Sequence, residues 1–151
     1  MKLMYLNLTQ KLSGLQDIPL LLIRLILAYG FYVPAMMKLN DVSAIAEWFE
    51  NIGIPAPTLN AYLATYTEFL GAIFLALGLA TRFVSIPLII TMLVAIKTVH
   101  WENGFNASDN GYEIPLYYMA MLIMLFFTGP GRASVDHLIR KKLLKPRFVN
   151  A

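Results

Sequence analysis

Four long apolar runs, at residues 18–37, 59–79, 83–100 and 114–128, constrain this chain more than any other feature. A helix rising about 1.5 Å per residue needs about 20 apolar residues to cross a hydrocarbon core roughly 30 Å thick. The first two runs meet that length, and the last two approach it by borrowing flanking residues. A lipid core admits only helices or closed barrels. The runs are continuous rather than alternating, so they predict transmembrane helices. Charge content agrees: 14% of residues are charged and 58% hydrophobic, where a soluble domain carries about 25% charged residues. The expected fold class is all-α: an integral-membrane four-helix bundle in one domain, residues 1–151, with short amphipathic interfacial helices.

Lysine and arginine set the orientation of such a bundle. Lys2, Lys11, Arg82, Arg132, Arg140, Lys141, Lys142, Lys145 and Arg147 fall on one side and Lys38 alone on the other, with Arg24 and Lys97 inside spans. Both termini are therefore expected in the cytoplasm, with loops 38–58 and 101–113 outside and a basic tail, 129–151, inside. Six of the nine acids lie in or beside the two outer loops. The first run is read as a span, because it carries Arg24 and no small-x-small cleavage site follows it. The basic tail is expected to attract anionic lipid headgroups rather than nucleic acid.

Two shorter segments have one apolar face. Leu8, Leu12 and Leu15 recur at helical spacing within residues 1–17, and Val42, Ile45, Phe49 and Ile52 do so in the first outer loop, opposite Ser43, Glu47, Glu50 and Asn51. Both predict amphipathic helices at the interface. "GIPAPT" ends the second of them, since proline cannot continue a helix. "TGPGR" closes the fourth span, and Ser134 is placed to cap a short tail helix.

Three ionisable residues lie inside spans: Arg24, Glu68 and Lys97. Each costs roughly 2.5–3.5 kcal/mol to insert. Counted along the helices, Arg24 sits roughly 9 Å from the cytoplasmic face, Glu68 roughly 13–14 Å from the outer face and Lys97 roughly 21 Å from the cytoplasmic face. Glu68 is thus expected between the two cations, where pairing offsets part of the desolvation cost. Ala61, Ala64, Thr65, Gly71, Ala72 and Ala76 cluster around Glu68, so this face should point into the bundle, where small residues allow close packing. Arg24, Phe31 and Lys38 share one face of the first span, and Lys97, His100 and Trp101 one face of the third. The expected result is a polar seam from Arg24 past Glu68 and Lys97, opening outward at Lys38, His100 and Glu113. Such a seam either fixes helix register and assembly or forms a pocket for a polar-headed lipophile or a proton.

The stretch "TVHWENGFNASDNGYEIPLYY" lies at the open end of that seam. His100 is a candidate acid/base, since imidazole titrates near neutrality, or an interfacial residue. Trp101, Tyr112, Tyr117 and Tyr118 fit an aromatic belt. Glu113 precedes the helix start at Pro115, where an anion is stabilised by the helix dipole. His100, Glu102, Asp109 and Glu113 match no recognised metal-ligand spacing. The absence of cysteine (Cys 0) excludes disulfides, CxxC redox chemistry and Cys-ligated metal clusters within the chain. No metal or Cys-based cofactor is expected.

The segments "LLIRLILAYGFYVPAMMKL", "EFLGAIFLALGLATR" and "GPGRASVD", in this order, resemble the DoxX family of small bacterial membrane proteins over about residues 18–140. The resemblance implies a four-helix bundle in the bacterial inner membrane, and it places Arg24, Lys38, Glu68, Arg82 and Asp136 on the family pattern. Some members of that family are the small membrane subunit of a thiosulfate:quinone oxidoreductase, and others are linked to redox or metal-stress systems. The leading expectation is a membrane redox component that binds a quinone-like molecule. Glu68 and His100 would move protons, Arg24, Lys38, Lys97, Trp101 and Glu113 would bind the ligand, and a partner redox protein would supply electrons. The alternatives are a non-enzymatic membrane anchor or assembly factor, and a small-solute or proton transporter acting as a homo-oligomer.

Overall fold

The structure, a computed structural model, describes residues 15–143. The expected interfacial helix with Leu8 and Leu12, and the cations Lys2, Lys11, Lys145 and Arg147, lie outside the described residues. Within them every regular element is helical: α1 (Asp17–Asn40), α2 (Val42–Asn51), α3 (Pro57–Leu77), α4 (Thr81–Ala95), α5 (Glu113–Thr128) and α6 (Val135–Leu143). A π turn at Ile96–His100 and a 3₁₀ turn at Trp101–Asn103 prolong α4, making one helix over Thr81–Asn103.

Each boundary has a local cause. Asp41 caps α2, its side chain accepting the Ala44 N–H at 2.9 Å. Pro57 opens α3, where its missing N–H costs nothing. Gly78 closes α3 at φ +64°, with its N–H on the Leu75 carbonyl and the Leu79 N–H on Phe74. That left-handed close suits glycine. Ser134 caps α6 as expected, its hydroxyl oxygen accepting the His137 N–H at 3.2 Å.

α1 packs antiparallel on α3 and α4 on α5, while α3–α4 and α1–α5 contacts complete a ring. Leu20, Leu27, Phe31, Leu75, Leu88, Leu122 and Leu125 belong to one core cluster. Gly71 lets Leu88 close onto α3: a methyl at Gly71 would lie 2.9 Å from both Leu88 methyls. Of the small residues expected on the Glu68 face, Ala61, Thr65, Gly71 and Ala72 are buried, whereas Ala76 is exposed. α2 folds its apolar face against α3 and buries Phe49.

The surface is turned inside out relative to a soluble domain. Leu22, Ile26, Leu63, Leu70, Phe83, Ile90, Leu93 and Phe127 are exposed, while Arg24, Thr65, Glu68, Thr81 and Ser85 are buried. Apolar exposure on this scale needs a lipid covering. By length and apolarity α1 and Thr81–Asn103 are long enough to span a bilayer; α5 is apolar but shorter. α3 has 21 residues, about 31 Å, and carries Glu68. One end of the ring, here the basal end, carries Asp17, the α3–α4 turn, the segment after α5 and α6. The other, the loop end, carries α2 and the loop before α5.

Candidate functional site

One buried ion pair crosses between helices. Lys38 Nζ donates to Glu68 Oε1 at 2.5 Å. The Glu68 side chain is 4% exposed and that of Lys38 21%. The other carboxylate oxygen, Oε2, is buried with no hydrogen-bond partner among the described residues. Thr65, one turn away, does not serve it, since its hydroxyl donates to the Ala61 carbonyl at 2.7 Å. The face expected to point inward does so, but its partner is Lys38.

The expected seam of Arg24, Glu68 and Lys97 does not form. Side chains on a helix lean toward its N-terminus. α1 and α3 are antiparallel, so Lys38 leans down from the loop end and Glu68 leans up to meet it. Arg24 leans the opposite way, into the basal end. There Nε donates to the Leu75 carbonyl (3.0 Å), Nη1 to Pro130 (2.7 Å) and Ala133 (2.8 Å), and Nη2 to Ala76 (3.1 Å). Four of five guanidinium N–H groups are spent on backbone, and the residue is 1% exposed. That leaves Arg24 almost nothing to offer a ligand. It instead ties α1 to the C-terminus of α3, where a cation also suits the dipole, and to the segment after α5.

Lys97 is exposed on the outside of the ring and makes no ion pair among the described residues. It lies in the π turn, together with His100. A π turn inserts one residue into the helical ladder, so the α-helical wheel no longer gives the face shared by Lys97, His100 and Trp101.

The loop stretch forms a unit tied to itself. His100 Nδ1 lies 2.7 Å from the Asn110 carbonyl, which can only accept, so the proton is on Nδ1. Asn103 Nδ2 donates to the same carbonyl. Trp101 stacks on Tyr112 with ring centroids 5.5 Å apart, and Phe105 meets Tyr112 edge-on. Glu113 accepts the Ala107 N–H through Oε2 and the Tyr117 hydroxyl through Oε1, both at 3.0 Å. Gly111 is indispensable to this knot, for a methyl there would lie 2.4 Å from the Gly104 carbonyl oxygen. His100, Trp101 and Glu113 are thus gathered with one another; no hydrogen bond or ion pair among the described residues joins them to Lys38–Glu68. No three His, Asp or Glu among the described residues are grouped to hold a metal ion.

Sequence reasoning assigned Asp136 only by family pattern and did not foresee its work. Its carboxylate accepts the N–H groups of Ala80 (2.8 Å) and Thr81 (3.2 Å), capping α4 from α6. The signal was the poor cap that α4 has of its own: Ala80 precedes it at φ +48° with no side-chain acceptor. Asp17 likewise accepts the Arg132 N–H at 2.7 Å. Gly78 leaves room for this joint, since a methyl there would lie 2.6 Å from both Arg24 Nη1 and Ser134 Cβ.

An apolar groove of about 330 Å³ lies on α3 and α4 and includes Tyr62, Tyr66, Leu70 and Phe74. Neither Lys38 nor Glu68 lines it, so it does not belong to the ion pair.

The DoxX family model matches residues 19–101, more than half of the chain and a segment that holds Arg24, Lys38, Glu68, Lys97 and His100. The chain belongs to the DoxX family. An uncharacterized protein of Haemophilus influenzae is 32% identical to it over 136 residues, 87% of this DoxX chain and 90% of the relative. An uncharacterized membrane protein of Mycobacterium tuberculosis is 34% identical over 104 residues, covering 62% of this chain and 64% of the relative. CatD of Bacillus subtilis, provisionally named an oxidoreductase, is 28% identical over 125 residues, 83% of this chain and 90% of its own. No solved structure matches. Family and apolar surface together make this DoxX chain a membrane protein.

Proposed function

We propose that this DoxX protein is a multi-pass component of the bacterial inner membrane, part of a redox system, and that it binds a quinone-like lipophile at Lys38–Glu68. α1, α3, α4 with its extension, and α5 are the four spans. The basal end faces the cytoplasm, because among the described residues Arg82, Arg132, Arg140, Lys141 and Lys142 are on it and Lys38 and Lys97 alone lie toward the loop end. The redox assignment draws on the family and on the name of the Bacillus subtilis relative.

The observation that carries the reading is the bare Oε2 of Glu68. A buried carboxylate oxygen without a partner is costly, and here it stands beside an ammonium group. A carbonyl-bearing ring fits this donor set: Lys38 donates to a carbonyl oxygen, and Glu68 holds or releases a proton at Oε2. When bound, a quinone supplies two-electron, two-proton redox chemistry. The greater exposure of Lys38 supports an entry at the loop end. With no cysteine in the chain, electrons come from a partner redox protein. Arg24 is dropped from the ligand-binding set, and Lys38 takes the role first expected of Arg24 and Lys97.

A second reading has its own observation. The contact at 2.5 Å also clamps α1 to α3, as a membrane anchor or assembly factor would require. The test is to purify the protein in mild detergent, extract bound small molecules and identify them by mass spectrometry, in wild type and Glu68→Gln. A stoichiometric quinone in the wild type that is lost in the variant is the expected result. Phospholipid alone, equal in both, would discard the redox site in favour of the anchor.

A further inference from the structure

α6 is a short helix whose apolar side the other described residues leave uncovered. Leu138 is 58% exposed, Ile139 45% and Leu143 78%. At 100° per residue, Val135, Leu138, Ile139 and Leu143 fall on one face. Arg140 and Lys141 flank that face on its two sides, and Lys142 rises through it on a stem long enough to snorkel. All three cations are in the last turn. His137 lies on the opposite side, and Asp136, at the edge of the apolar face in the first turn, is consumed in capping α4. The helix is therefore fixed at its start, through Asp136 and Ser134, and free along its apolar face.

The same end of the ring adds to the pattern. Arg82 and Arg132 are exposed there, and Phe83 (78%) and Phe127 (72%) present aromatic rings beside them. The acids at this end are Asp17, engaged with Arg132, and Asp136. Net charge at the basal rim is positive, and the apolar surface next to it belongs to the lipid-facing flank of the bundle.

We propose that α6 docks into the anionic headgroup layer of the leaflet at the basal end, burying Leu138, Ile139 and Leu143 while Arg140, Lys141 and Lys142 engage lipid phosphates. A strongly amphipathic helix with basic flanks is suited to that position. Each Lys or Arg near an anionic surface gains about 1 kcal/mol, close to a fivefold preference, so the three cations together favour the docked state about 150-fold. Because Asp136 on the same helix caps α4, docking holds the α3–α4 turn against the leaflet.

The chain lacks cysteine, so Leu143→Cys provides a unique site for an environment-sensitive dye. The labelled full chain is placed in nanodiscs of phosphatidylcholine, or of equal parts phosphatidylcholine and phosphatidylglycerol. The dye should be apolar and quenched by lipid-borne nitroxides in the anionic discs only. High salt, or Arg140→Gln with Lys141→Gln and Lys142→Gln, should return it to water. A dye equally polar in both discs overturns docking, and one equally buried in both overturns its dependence on anionic lipid. Leu138→Cys, labelled the same way, guards against a local effect of the dye and must give the same contrast.

Discussion

Removing Lys38 should harm the protein more than removing the charge of Glu68, although both break the same ion pair. At 2.5 Å the gross attraction of two unit charges is about 6–7 kcal/mol at an effective dielectric of 20. Desolvation of each ion takes back several kcal/mol, leaving a small net effect. Breaking the pair is a different matter. Lys38→Met strands a Glu68 side chain that is 4% exposed, with neither oxygen partnered, and should cost about 3–5 kcal/mol. Glu68→Gln strands Lys38 instead, but that side chain is 21% exposed and can swing toward the loop end, so the cost should be about 1–2 kcal/mol. Lys38→Met with Glu68→Leu removes both charges at similar volume and should lie within about 1 kcal/mol of wild type. Thermal unfolding in one detergent measures all four proteins, and the Lys38→Met loss corresponds to a Tm drop of about 6–20 °C. Equal losses in the two single variants, or a double variant as unstable as their sum, would refute the reasoning. A stable double variant that has lost its lipophile would separate binding from assembly.

Arg24→Lys should loosen the basal end, since an ammonium reaches at most three of the four carbonyls and each stranded one costs about 1–3 kcal/mol; limited proteolysis should cut residues 128–135 faster than in wild type. Gly30→Ala should push α1 from α5, because the new methyl would meet Tyr118 Oη at only 2.0 Å. The overpacking cost is about 1–3 kcal/mol, visible as a lower Tm that Tyr118→Leu in the same chain largely restores. Asp136→Ala should uncap α4 at about 0.5–2 kcal/mol, and hydrogen exchange should quicken at Ala80 and Thr81 while α5 stays protected.

Much of the fold was legible because it follows from period and length alone. The apolar runs at 18–37 and 59–79 became α1 and α3 with ends shifted by one to three residues. The small residues around Glu68 correctly gave its inward face. The pairing was less legible. Depth counted at Cα set Glu68 between Arg24 and Lys97, but a long side chain acts several ångströms from its Cα, in the direction of its helix N-terminus. Applied to two antiparallel helices, that lean selects Lys38 for Glu68 and sends Arg24 to the basal carbonyls. The loop stretch misled for another reason. Its polar groups read as a seam opening outward, yet His100 and Glu113 are consumed in holding the loop's own backbone. No periodicity records such ties. The π turn at Ile96–His100 likewise has no apolar signature.

The two ends of the ring use buried charge in opposite ways. At the basal end the charged groups are met: Arg24 meets four carbonyls, Asp136 meets two N–H groups and Asp17 meets Arg132, and the buried group left without a partner there is a neutral one, the Thr81 hydroxyl. The work of these charges is to hold α1, the α3–α4 turn and α6 together. Toward the loop end Glu68 keeps one oxygen unmet. Buried polar groups are nearly always satisfied, so an exception inside a ring of apolar helices is where a bound molecule would lower the free energy most. The proposed site is Lys38–Glu68 rather than Thr81 because an unmet carboxylate oxygen costs more than an unmet hydroxyl. The cation nearest Glu68 by sequence depth, Lys97, contributes nothing there because it faces outward.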